Sequence, residues 1–174
     1  MSGGPTADGP IAGRLLVATP LLGDPNFERT VVLMLAHSSE GTFGLVINRP
    51  TGTRAEELVP GWGDRAATPA VMFIGGPVGQ NGVIGLHPGG TVDLNVLPED
   101  TVDAPDTVRL FAGSAGWAGG QLEDELSEGA WWVLDAEPGD AFVANPDELW
   151  SAVLRRQSGT LAWFANYPPD PMVN

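Results

Sequence analysis

The chain predicts an α+β fold built on a mixed, mainly antiparallel sheet flanked by short helices. Three observations carry this. Strand-length apolar runs outnumber helical patterns along the chain. The segments between them are too short for regular βαβ winding. The 24 Gly and 16 Pro divide the chain into many short elements joined by turns.

Taken in order, Met1–Pro10 read as a disordered tail, residues 11–166 as one domain, and residues 167–174 as a second tail. Arg14–Ala18 is a short apolar strand stopped by Thr19-Pro20. Thr30–Ala36 is an unbroken β-branched and apolar run, the mark of a strand buried on both faces, and pairs as a hairpin with Phe43–Ile47. Asn48–Gly52 reads as loop and Arg54–Val59 as one or two helical turns. Strands follow at Ala70–Ile74, Val83–His87, Thr91–Leu97 and Thr107–Ala112, with a sharp break at Gly75-Gly76-Pro77. Gly113–Gly120 reads as a glycine-rich corner around Trp117. It opens a helix at Gly120–Ser127 with Leu122 and Leu126 on its buried side. Ala130–Leu134 is the last strand. Asn145-Pro146-Asp147-Glu148 starts a helix whose apolar stripe is Leu149, Trp150, Val153 and Leu154, with Gly159 beyond its end.

Charge narrows the function. There are 8 basic residues, all Arg, against 22 acidic ones, for a net charge of −14. Such a chain repels nucleic acid and anionic membrane unless a local cluster overrides the field, and Arg155-Arg156 is the only adjacent basic pair. Without cysteine there is no disulfide, thiolate metal site or thiol nucleophile. No secretory signal or spanning segment is visible, so a cytoplasmic location is expected.

Several residue groups invite chemistry, and each has a structural reading beside the functional one. The Gly113–Gly120 corner has the form of an anion cradle, but Glu123, Asp124 and Glu125 already fill the first turn of the helix that follows. Ser114 lies in a near-match to a nucleophile elbow, yet both histidines precede it, which breaks the Ser, acid, His order. His37 and His87 each end a strand, without metal-ligand spacing. Arg29, with Asn48-Arg49, suits either a loop-pinning ion pair or an anionic ligand. Trp131 and Trp132 point to opposite faces. Trp62, in a Pro-Gly-Trp-Gly-Asp loop, is expected to be the most exposed tryptophan.

Six blocks in order resemble one family. They are Gly13–Pro20, Phe27–Val31, Gly44–Pro50, Gly75–Val78, Leu86-His87 and Ala115-Gly116-Trp117 through Gln121-Leu122-Glu123. The chain is similar over most of its length to the AlgH/YqgE family of bacterial proteins. The resemblance implies a bifurcated sheet that includes a small closed barrel, and a cytosolic protein without a settled molecular activity. One branch of the family is associated with transcriptional control of exopolysaccharide synthesis, without a recognised DNA-binding motif. Ser114 departs from the family pattern, which usually has an aromatic there.

The expectation is a non-enzymatic regulatory or binding protein with no catalytic set, no metal and no cofactor. Its partner is an unknown protein or small ligand, met through some of Arg29, Asn48, His87, Ser114, Trp117, Gln121 and Glu123. The alternative is a small-molecule enzyme or metal-dependent hydrolase in which His37, His87, Arg29 and Glu123 converge.

Overall fold

A computed structural model describes residues 11–166; the tails expected at 1–10 and 167–174 lie outside the described residues. The strands are β1 (Leu15–Ala18), β2 (Val31–Ser38), β3 (Gly41–Val46), β4 (Pro50–Arg54), β5 (Val71–Ile74), β6 (Val78–His87), β7 (Gly90–Val92), β8 (Arg109–Ala118) and β9 (Trp131–Leu134). The helices are α1 (Ala55–Leu58), α2 (Gln121–Ser127), α3 (Leu149–Arg155) and α4 (Thr160–Phe164).

The nine strands form one sheet in the order β4-β5-β8-β3-β2-β1-β9, with β6 pairing both β8 and β7. The β5–β8 pair is parallel and the other strand pairs are antiparallel, so the mixed, mainly antiparallel expectation holds. The small closed barrel does not. Among the described residues nothing pairs β4 with β9, and the sheet is open.

The largest correction falls on the glycine corner. Gly113–Gly116 continues β8, and the chain turns only at Gly119-Gly120. The small residues there are poor strand formers, but tertiary pairing decides. Arg109–Ala112 pair with β6 and Phe111-Ala112 also with β5, while Ala115–Ala118 pair with β3. β8 is thus shared by two parts of the sheet, and Gly113 sits at the change with φ 75. A side chain at Gly113 would collide with the Gly76 carbonyl, and one at Gly76 with the Ser114 carbonyl. The Gly-Gly-Pro block and the Gly-Ser block need small residues because they cross in close contact.

Alternation along β1 feeds two cores. Leu15 and Val17 join Val31, Leu45, Phe73 and Phe111 under the apolar stripe of α3, where Leu149, Trp150, Val153 and Leu154 are all buried. Leu16 and Ala18 join Val32, Val46, Trp117, Leu122 and Trp131 on the other face. Trp132 faces the first core, 5.4 Å from Phe164 of α4, so both faces of β9 are covered. Burial on both faces of β2 holds at Val31 and Val32 and gives way to alternation beyond them.

Trp62 reverses its expectation, at 1% exposure. The Glu56 carboxylate accepts the N–H groups of Gly61 and Gly63, which folds the loop back. This drives the ring into a third core with Ala55, Met72 and Leu110. Two elements were missed. Pro50–Arg54 is a strand, and Gly159 starts α4 as well as lying beyond α3.

Candidate functional site

Three of the expected contact residues, Trp117, Gln121 and Glu123, meet, together with His37 of the enzyme alternative. The β2–β3 and β3–β8 registers place His37, Thr42 and Trp117 in one row across the sheet. Helix α2 packs over that row on the buried Leu122. Its Glu123 lies 3.3 Å from His37 Nε2, and His37 Nδ1 is 2.6 Å from Thr42 Oγ1. Glu125 Oε1 accepts the indole N–H of Trp117 at 2.9 Å and of Trp131 at 2.8 Å. Its Oε2 accepts the Gln121 amide, whose oxygen takes the Ala118 N–H. Phe27 closes the cluster, 5.9 Å from the Trp117 ring and 5.6 Å from that of Trp131. Glu125 was not among the expected residues. Its signal was present: a carboxylate one helical turn after Gln121, following a Trp.

Arg29 and Asn48 stand apart from this group. Arg29 precedes β2 and His37 lies one residue before its end, with about 20 Å of strand between Val31 and His37. The Arg29 guanidinium lies over the Trp150 ring at 4.0 Å, and burial lowers its pKa. Asn48 accepts the Val31 N–H and donates to the Arg29 carbonyl, which braces Arg29 at φ 56. Arg49 donates to the carbonyls of Pro25, Asn26 and Glu28. The loop is therefore pinned through carbonyl groups.

Ser114 is buried in the middle of β8, opposite Val78. His87 lies at the β6–β7 turn, where Nδ1 accepts the Gly89 N–H at 3.1 Å. The four side chains of the enzyme alternative do not converge: His37 and Glu123 pair, Arg29 packs on Trp150, and His87 bonds to Gly89. Among the described residues no group of three or more His, Asp or Glu is placed to hold a metal.

What surrounds His87 is a pair of clefts. One, of about 440 Å³, has walls from Leu33, Leu35, Leu86 and Phe142, with His87 and Glu137 also lining it. The other, of about 290 Å³, is lined by His87, Trp62, Asp93 and Asp103 among others. A mainly apolar cleft with a few polar groups has the general form of a binding site.

Two buried charges flank this region, and neither was expected. Arg109 is fully buried, donates to the carbonyls of Ala67, Thr68, Ala141 and Val143, and lies 4.3 Å over the Phe73 ring. Burial brings its pKa down to about 10. Asp140 is buried and grips Arg156 through both oxygens, at 2.6 and 3.0 Å. Arg156 also reaches Glu137 at 3.2 Å, and the Asp140 bond raises its pKa. Arg156, half of the adjacent Arg155-Arg156 pair, is thus committed to intramolecular ion pairs at the surface. Among the described residues no helix is long and apolar enough to cross a membrane.

An open mixed sheet divided at one shared strand, with short helices on both faces and a cleft at the β6–β7 turn, defines the class of protein. The AlgH-like family model matches residues 15–162, and the chain belongs to that family. It is 48% identical over 184 residues to a UPF0301 protein of Streptomyces coelicolor, covering 94% of this chain and 95% of that one. It is 47% identical, with the same coverage, to one of Streptomyces avermitilis. A crystal structure from Corynebacterium diphtheriae superposes with TM-score 0.83 at 30% identity, covering 92% of this chain and 94% of the other. The solution structure of the AlgH protein from Pseudomonas aeruginosa gives TM-score 0.71 at 31% identity, covering 97% and 98%.

Proposed function

We propose that this is a cytoplasmic, non-enzymatic regulatory or binding protein, acting in transcriptional regulation without gripping DNA itself, and that its contact site is the cleft beside His87. One observation carries the reading. The side chains with reactive potential are engaged within the fold, whereas the 440 Å³ cleft keeps apolar walls accessible beside His87 and Glu137. The net charge of −14 and the intramolecular pairing of Arg156 support the exclusion of direct DNA binding.

An amide and indole NMR titration tests it. The protein is mixed in turn with a bacterial metabolite pool, divalent metals, a short DNA duplex and candidate peptides. Shifts confined to Leu33–Leu35, Leu86–Gly90 and Glu137–Phe142 are expected from a metabolite or a peptide, and none from DNA. Shifts centred on Arg155 with DNA would overturn the reading. Turnover of a metabolite with shifts at His37 and Glu123 would restore the enzyme alternative.

A further inference from the structure

The edge of β2 is covered over only part of its length. Val31–Leu33 pair with Leu15–Val17 of β1. Gly13 and Arg14 extend the ladder to Met34, with Gly13 N–H to Met34 O at 2.7 Å and Met34 N–H to Arg14 O at 2.9 Å. There the neighbouring chain turns, as the Arg14 N–H bonds to the Ile11 carbonyl and Gly13 takes φ 86. Among the described residues no strand pairs β2 on that side from Leu35 to Ser38. Leu35 is also the bulged residue against β3. An open strand edge presents unpaired N–H and C=O groups, a ready template for another extended chain.

The 440 Å³ cleft lies at this opening. Leu33, Met34 and Leu35 supply part of its lining, and Leu86, Ala141 and Phe142 add further apolar surface. Charge selects the occupant. The lining holds no Lys or Arg, and its two carboxylates, Glu137 and Asp140, are both paired with Arg156, so the selection comes from the net charge of −14 on the whole molecule. The neighbouring arginines are already paired, Arg14 with Asp135 and Arg156 with Glu137 and Asp140. Asp135 itself is 91% exposed. A second copy of the chain would bring another net charge of −14 and be repelled.

We propose that this cleft takes an extended segment of a partner protein, apolar residues alternating with Lys or Arg, as a β-strand added along the open edge of β2. Main-chain hydrogen bonds to the edge give affinity, and alternate apolar side chains enter the lining. The flanking cations meet the acidic field of the whole molecule. The assignment rests on the reading of this cleft as the contact site and adds the class of partner.

Four eight-residue peptides test it against the full chain by NMR titration. The first repeats Lys-Val. The second repeats Glu-Val. The third and fourth are the Lys-Val peptide N-methylated at every valine or at every lysine nitrogen, each of which blocks one edge of an extended strand. The Lys-Val peptide is expected to shift the amides of Gly13, Leu33–Ser38 and Leu86–Gly90. Binding weakens about tenfold for Glu-Val and for one methylated form but not for the other. Absence of shifts, shifts elsewhere, or equal binding by all four peptides overturns the proposal. If a metabolite shifts the cleft and no peptide does, the added strand fails while the cleft remains the contact site. If neither does, both readings fail.

Discussion

Arg109 opens β8 and Trp117 lies near its other end, and each belongs to a polar cluster of opposite sign, around a fully buried Arg109 at one end and a half-buried Glu125 at the other. At the first end a guanidinium is held by four backbone carbonyls and a phenyl face. At the second, the Glu125 carboxylate is held by two indole N–H groups and an amide. Neither charge has an oppositely charged partner among the described residues. Neutral dipoles do the work of a counter-ion when enough of them converge. The consequence is architectural. Arg109 ties the 67–68 and 141–143 segments to the sheet, and Glu125 ties α2 to β8 and β9. A conventional ion pair, Asp140 with Arg156, supplies the reference for both.

The largest effect is expected at the aromatic end. Trp117→Ala removes a buried ring and should cost about 3–5 kcal/mol in denaturant unfolding. A loss below about 1 kcal/mol would place the ring outside the core. Next comes the reference pair. Arg156→Ala strands the buried Asp140 carboxylate and should cost about 3 kcal/mol, while Arg155→Ala stays within about 0.5 kcal/mol. Equal effects from the two would remove the ion pair from the comparison.

Arg109→Met should cost about 2–3 kcal/mol, because it leaves four carbonyls without their donor while relieving the burial of a charge. Its pH dependence sharpens the contrast. The folded pKa of about 10 lies below that of the unfolded chain, so the unfolded state binds the proton more tightly. The cost of the buried charge is therefore fully present below about pH 10, and stability from this group rises as pH increases through and beyond that value. The chain has no Lys or Cys and a single Tyr, so little else titrates there. The difference in unfolding free energy between the parent and Arg109→Met should be level from about pH 7 to 9 and widen above about 10. A level difference throughout would show that the guanidinium keeps its proton.

The smallest effect is expected at Glu125→Gln. One acceptor oxygen remains for the indoles, so the loss should be about 1–2 kcal/mol, with both the Trp117 and Trp131 indole resonances shifted. Movement of only one of them would separate the two halves of that cluster.

Much of this was legible along the chain. The β2–β3 hairpin, the short strands at either end, α2 and the stripe on α3 follow from local apolar pattern and turn residues, which neighbouring segments reinforced. The glycine corner was not legible. Gly113–Gly116 has loop composition, and becomes strand because β6 and β3 pair with it from different parts of the chain. Trp62 was misplaced for a related reason. Its flanking glycines signal a surface loop, while the Glu56 clamp that buries the ring spans a turn that no periodicity reveals.

The site divides in the same way. Trp117, Gln121 and Glu123 are close in sequence, and a helix following a strand brings them together. His37 joins them only through the β2–β3–β8 register. Composition by itself determined the acidic field, the absence of thiol chemistry and the α+β class, since these depend on residue type and local period. The burial of Arg109, the open edge of β2 and the cleft beside His87 were decided by the tertiary structure. Each depends on which distant backbone groups come to lie beside a given residue, and long-range pairing alone sets that.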